Sequence, residues 1–88
     1  MAEATLEVKN KLGLHLRAAS TLAQAIAKFK SSITISRGKD RVNAKSVTAL
    51  MMLGAGRGTK LKVRAEGEDA REALAAAQTL FEDRFGED

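Results

Sequence analysis

Leu61-Lys62-Val63-Arg64-Ala65, then Gly67-Glu68-Asp69, then Ala73, Leu74, Ala77, Leu80 and Phe81 carry the chain from one backbone period to another. Apolar residues at every second position mark a half-buried strand, the glycine and acidic residues mark a turn, and spacings of three and four mark one face of a helix. The same alternation appears upstream between Ala4 and Lys9, where Leu6 and Val8 share one face and Thr5, Glu7 and Lys9 the other. It returns at Ile33 and Ile35, followed by a hairpin turn over Arg37 to Asp40 centred on Gly38 and a short return strand over Arg41 to Asn43. No second hairpin partner is evident.

Two more helices fill the intervals. Between Leu16 and Lys30 the residues Ala19, Leu22, Ala23, Ile26 and Phe29 share a face, leaving Gln24, Lys28 and Lys30 to solvent. Ser46, ahead of Val47, Leu50 and Met51, is suited to cap a short helix that Gly54 would end. Asn10 to Leu14, and the stretch holding Gly54, Gly56 and Gly58, read as loops. The order is strand, helix, strand, strand, helix, strand, helix. Strands with one apolar face need one cover, so the expected class is α+β: an antiparallel sheet with all three helices on one side.

Eighty-eight residues, 44% hydrophobic and 30% charged, suit one folded domain spanning residues 1–88. The absence of cysteine excludes disulfides and thiolate metal sites, and a single histidine excludes a multi-histidine metal centre. No cofactor is expected. The longest apolar run, Ala49 to Leu53, is too short for a membrane span, and the start lacks a signal-peptide layout, so a cytoplasmic protein without membrane insertion is expected. The net charge of +4 favours acidic partners. A small nucleic-acid-binding domain is the alternative reading, encouraged by the glycine-rich Gly54 to Gly58 loop. Against it, there are only three Phe and no Tyr or Trp for stacking on bases, and all three Phe fall at positions suited to a core. The loop also lacks the Gly-Lys-Ser/Thr sequence of a phosphate cradle.

His15 lies outside the apolar stripe of the first helix, directly before it, and Arg17 follows two residues later. A helix start leaves amides unpaired and carries partial positive charge, and a guanidinium fork suits phosphate oxygens. A phosphoryl group on His15 would be held there, and positive surroundings favour the neutral imidazole that can attack phosphorus. Spacing alone leaves a plain capping or surface histidine open beside this reading. Acid–base pairs such as Glu66 with Glu68 or Asp69 lie in a charged turn far along the chain from His15, so an enzyme acting on small molecules gains little support.

Gly13-Leu14-His15-Leu16-Arg17-Ala18-Ala19, with Asn43-Ala44-Lys45-Ser46 and Leu53-Gly54, resembles the HPr family of phosphocarriers of the bacterial phosphotransferase system, over nearly the whole chain. The resemblance implies an open-faced sandwich with a four-stranded antiparallel sheet and three helices on one face. It implies that His15 accepts phosphate from enzyme I and passes it to an enzyme IIA domain in sugar uptake or its regulation. The protein would be a carrier and not an enzyme, with Arg17 steadying the phosphoryl group. Ser46 matches a serine that HPr kinase/phosphorylase modifies in many relatives. Ala18 stands where the family commonly has proline, and Leu16 where a small alanine is usual. The first implies a less rigid turn; the second leaves sugar uptake and a regulatory, nitrogen-type branch both open.

The short Ser46 helix cannot turn all its apolar residues inward. Val47, Thr48 and Met51, with Leu16, are therefore expected at a partner surface, and Arg17, Lys45 and Lys11 at its basic rim. Core positions for Val47 and Met51, and a solvated Lys45, are the competing readings.

Overall fold

The computed structural model describes residues 1–87. The order read from the sequence is present: β1 (Ala2–Glu7), α1 (Leu16–Ile26), β2 (Ser32–Arg37), β3 (Asp40–Asn43), α2 (Val47–Met52), β4 (Lys60–Glu66) and α3 (Ala70–Glu82). A 3-10 turn, Arg84–Gly86, follows α3. The strands form one antiparallel sheet in the order β1-β4-β2-β3. β4 thus enters between β1 and β2, which is why β1 shows no partner nearby in sequence.

Register explains why alternation sufficed to place the strands. Ala4 lies opposite Val63, Val63 opposite Ile35, and Ile35 opposite Val42, so one row of apolar side chains crosses all four strands. Leu6 and Leu61, and Ala65 with Ile33, build parallel rows on the same face. Helix α3 packs on β1 and β4, and α1 packs against α2 and α3. Leu22, Ile26, Leu50 and Phe81 are buried in the resulting core. Full burial of each such side chain is worth roughly 1.5–3 kcal/mol relative to exposure. Glu3, Thr5, Glu7, Lys60 and Lys62 populate the uncovered face of the sheet.

Three boundaries differ from expectation. β1 starts at Ala2 and stops at Glu7; Val8 still exchanges hydrogen bonds with Thr59 and Gly58, but Lys9 has left the ladder. α1 ends at Ile26, short of Lys30. The Lys30 and Ser31 amides instead donate to the Asp69 carboxylate at 2.9 Å each, which turns the chain into β2 and ties it to the start of α3. Phe29 consequently sits at the core edge, partly buried, with Lys28 over its ring at 5.4 Å, whereas Phe81 and Phe85 are buried. At the end of α2, the Arg37 guanidinium donates to the carbonyls of Leu53 (2.9 Å) and Gly54 (2.8 Å), satisfying acceptors that the short helix leaves free.

Candidate functional site

The loop from Asn10 to Leu14 is fixed at three points. The fully buried Asn10 side chain donates through Nδ2 to the Gly13 carbonyl at 2.7 Å. The Leu14 amide donates to the Ala55 carbonyl at 2.9 Å, so the segment after α2 lies against the loop. Gly13 has φ +72°, and a Cβ there would run into the Ala55 carbonyl and lie 2.8 Å from Gly56 Cα. Glycine is thus required for both backbone angle and space.

These contacts deliver His15 to the start of α1 as its N-cap, with extended backbone angles (φ −79°, ψ −179°). Its carbonyl accepts from Ala19 N–H at 2.9 Å, and its ring atom Nδ1 accepts from Arg17 N–H at 3.2 Å. The other ring nitrogen faces Glu87, with Nε2 2.7 Å from Oε2. An ionised carboxylate only accepts, so Nε2 bears the hydrogen and Nδ1 the free lone pair. The amide at Nδ1 demands the same tautomer. Glu87 Oε1 in turn accepts from Asn10 Nδ2 at 2.9 Å. Both partners of that amide nitrogen are acceptors, which fixes the orientation of the Asn10 side chain and leaves its buried Oδ1 without a partner among the described residues. The Asn10 hydrogen bond, then the His15 hydrogen bond and charge and the nearby Arg17 charge, hold the Glu87 carboxyl below its usual range, against the opposing effect of burial.

His15 keeps 29% of its side-chain surface exposed, enough for a partner protein to reach the ring. A cleft of about 570 Å³ adjoins it, lined by Lys11, Leu12, Arg17, Phe85, Gly86 and Glu87. Arg17 is exposed, and its guanidinium forms no ion pair among the described residues. Lys11 and Arg17 therefore do flank the histidine. Glu87 adds a negative charge at the Nε2 edge of the ring, which the sequence reading did not place there.

The expected contact residues divide. Leu16 (60% exposed), Met51 (42%) and Thr48 face solvent, and Val47 is partly buried against the core. Lys45 is not beside His15: its ammonium donates to the Phe29 carbonyl at 2.6 Å. Phe29 lies beyond the far end of the 11-residue α1, about 16 Å of helix from His15. Ser46 caps α2 as its position suggested, its Oγ accepting from Ala49 N–H at 3.2 Å. It opens the end of α2 away from the His15 loop, since Ala55, past the other end, is what binds Leu14.

Sequence reasoning missed Leu12 and Met52, exposed by 70% and 80%, and missed Asn10 and Glu87 altogether. Met52 lies on the same outer side of α2 as Thr48 and carried a helical-period signal. Leu12 and Asn10 lie in a loop, where no period distinguishes buried from exposed, and Glu87 meets His15 only through tertiary folding.

A family model described as the PTS HPr component phosphorylation site matches residues 2–83. Phosphocarrier protein HPr of Xylella fastidiosa is 49% identical over 88 residues, covering all of this chain and 99% of that protein. Phosphocarrier protein HPr of Neisseria meningitidis is 40% identical over 87 residues, covering 99% of this chain and 98% of its own length. The crystal structure of HPr-C-His from Thermoanaerobacter tengcongensis superposes with a TM-score of 0.96 at 44% identity, covering 100% of this chain and 99% of that one. A matching family model over nearly the whole chain, full-length relatives and a superposable fold, together with a solvent-accessible histidine capping a helix start, place this protein in the HPr family of phosphocarriers of the phosphotransferase system.

Proposed function

We propose that His15 Nδ1 is the atom that carries the phosphoryl group, taken from a phosphohistidine of enzyme I and given to a histidine of an enzyme IIA domain. The observation supporting this atom is its place: Nδ1 points its lone pair at the Arg17 amide, in the first turn of α1. In transfer the Nδ1 lone pair forms the new P–N bond as the donor's P–N bond breaks, its electron pair returning to the donor nitrogen. The hydrogen on Nε2 stays in place. The phosphoryl oxygens then meet the unpaired amides and partial positive charge of the helix start, and the Arg17 guanidinium pairs with them. No metal or cofactor enters the step. Ala18, wholly buried in the first turn, retains an amide hydrogen that proline would lack.

Leu12, Leu16, Met51 and Met52 supply apolar docking surface, with Thr48 beside them and Lys11 and Arg17 as the basic rim for an acidic partner. Ser46 is both cap and regulatory acceptor for HPr kinase/phosphorylase in this reading. Among the described residues no helix is long and apolar enough to cross a membrane, and we place the protein in the cytoplasm as a single domain. The nucleic-acid reading finds no support: two Phe are buried and Phe29 packs against the core, leaving no free ring for base stacking.

Incubation with phosphoenolpyruvate and enzyme I, followed by intact mass measurement before and after acid treatment, tests the assignment. One acid-labile phosphoryl group, absent from His15→Ala, is expected. Phosphorylation that persists in His15→Ala would overturn it.

A further inference from the structure

We propose that Glu87 is a positioning residue for His15, set by Asn10 to hold the imidazole with hydrogen on Nε2 and the lone pair on Nδ1. The inference rests on the reading of His15 as phosphoryl acceptor, and three observations support it. First, the carboxylate is bridged: Oε1 accepts from Asn10 Nδ2 at 2.9 Å and Oε2 from His15 Nε2 at 2.7 Å. One oxygen is thereby committed to a fully buried side chain that also grips the Gly13 carbonyl, so the carboxylate and the His15 loop are positioned by the same amide.

Second, the path that brings Glu87 there is built against local preference. Arg84 and Phe85 both adopt left-handed backbone, with φ +54° and +55°, which side chains with a Cβ disfavour. Burial of Phe85, 4% exposed with its ring edge-on to Phe81 at 4.9 Å, holds this turn in place. The turn reverses the chain after α3 and lays Glu87 against the loop. Third, Glu87 and His15 keep only 15% and 29% of their side-chain surfaces exposed, so the contact is partly shielded from water.

The chemistry follows from which nitrogen reacts. When Nδ1 forms its bond to phosphorus, the ring keeps the Nε2 hydrogen and becomes cationic, and the adjacent carboxylate stabilises that charge. The same contact leaves a neutral imidazole as leaving group when the phosphoryl departs. Carboxylates that orient a functional imidazole in this way fix its tautomer and raise its basicity. The negative charge lies at the opposite ring nitrogen from the phosphoryl site, where it repels the phosphate least.

Glu87→Gln is the discriminating variant. An amide offers one oxygen and cannot accept from Asn10 and His15 together; turned either way, its NH2 meets a donor. Two measurements report on it, neither needing a docking partner. Ring 15N shifts of His15 read the tautomer directly, and the small donor phosphoramidate reads the intrinsic rate of phosphorylation. The native protein should show His15 as a single Nε2–H tautomer. Glu87→Gln and Glu87→Ala should show a mixture and react about tenfold more slowly, the lower range for losing an orienting carboxylate, with thermal midpoints near native. Native-like rates in both variants, or an unchanged tautomer, overturn the proposal. If the native protein takes up no phosphate from enzyme I, the carrier reading fails, while the 15N measurement still decides whether Glu87 sets the tautomer.

Discussion

Replacing Gly13 by alanine should damage stability and charging together, because one glycine supports both. Its φ of +72° lies in the left-handed region, which costs a residue with a Cβ roughly 1–2 kcal/mol. The added carbon would also collide with the Ala55 carbonyl and press on Gly56 Cα at 2.8 Å, both backbone atoms that cannot rotate aside. Relief requires the loop to lift away, which sacrifices the 2.9 Å hydrogen bond from Leu14 to Ala55, worth about 0.5–1.5 kcal/mol net. The sum is on the order of 2–3 kcal/mol, a large part of the roughly 5–15 kcal/mol available to a small domain. For a chain of this size that lowers the thermal midpoint by about 10–20 °C. Gly56→Ala is the internal control: its φ is not positive and no atom lies within 4 Å of its added carbon. That variant should stay within about 0.5 kcal/mol of native. Urea unfolding of the three proteins measures the difference, and phosphorylation by enzyme I should be slower for Gly13→Ala because His15 moves with the loop. If Gly13→Ala unfolds within about 0.5 kcal/mol of Gly56→Ala, the close approach of loop and Ala55 is not what anchors the site.

Arg17→Ala should slow transfer on the order of tenfold to a hundredfold, the loss of a charge-assisted contact, with Arg17→Lys recovering only part because a point charge replaces a fork. Equal stopped-flow rates for all three proteins would remove Arg17 from the mechanism. Ser46→Ala should lose about 1 kcal/mol of cap stabilisation and charge nearly normally. Ser46→Asp should keep its stability and charge more slowly, and if it charges as fast as native, Ser46 is a cap and nothing more. Asp69 is depressed from 3.8 to about 2, chiefly by the Ser31 hydroxyl and then the Lys30 amide. A depressed carboxyl stabilises the fold above its unfolded pKa and loses that contribution as pH falls through the folded one. Asp69→Asn should therefore be less stable than native at neutral pH, with the gap narrowing between about pH 4 and pH 2 in acid-unfolding curves. A gap independent of pH would assign Asp69 a role other than its charge.

Legibility in the sequence tracked how local each cause was. Strand and helix identities were legible because alternation and the three–four spacing reflect a single buried face, as Ile33, Ile35, Leu61 and Val63 show. The Ser46 cap and the place of His15 before α1 were legible for the same reason: a helix start is a local event. The end of α1 was not, because Asp69, on a distant element, competes for the Lys30 and Ser31 amides. Lys45 illustrates the converse error. Expected at the basic rim beside Arg17, it instead donates to the Phe29 carbonyl beyond the far end of α1. Glu87 was the deepest omission: its role depends on a left-handed turn at Arg84 and Phe85, residues whose types give no hint of that backbone.

We propose that Nδ1 of His15 carries the phosphoryl group while Nε2 keeps its hydrogen. Nuclear magnetic resonance of 15N-histidine-labelled protein, phosphorylated by enzyme I and phosphoenolpyruvate, reads both facts from one sample. The expected result is phosphorus–nitrogen coupling at Nδ1 with a protonated Nε2. Coupling at Nε2, or a phosphoryl group on any residue other than His15, would contradict the account.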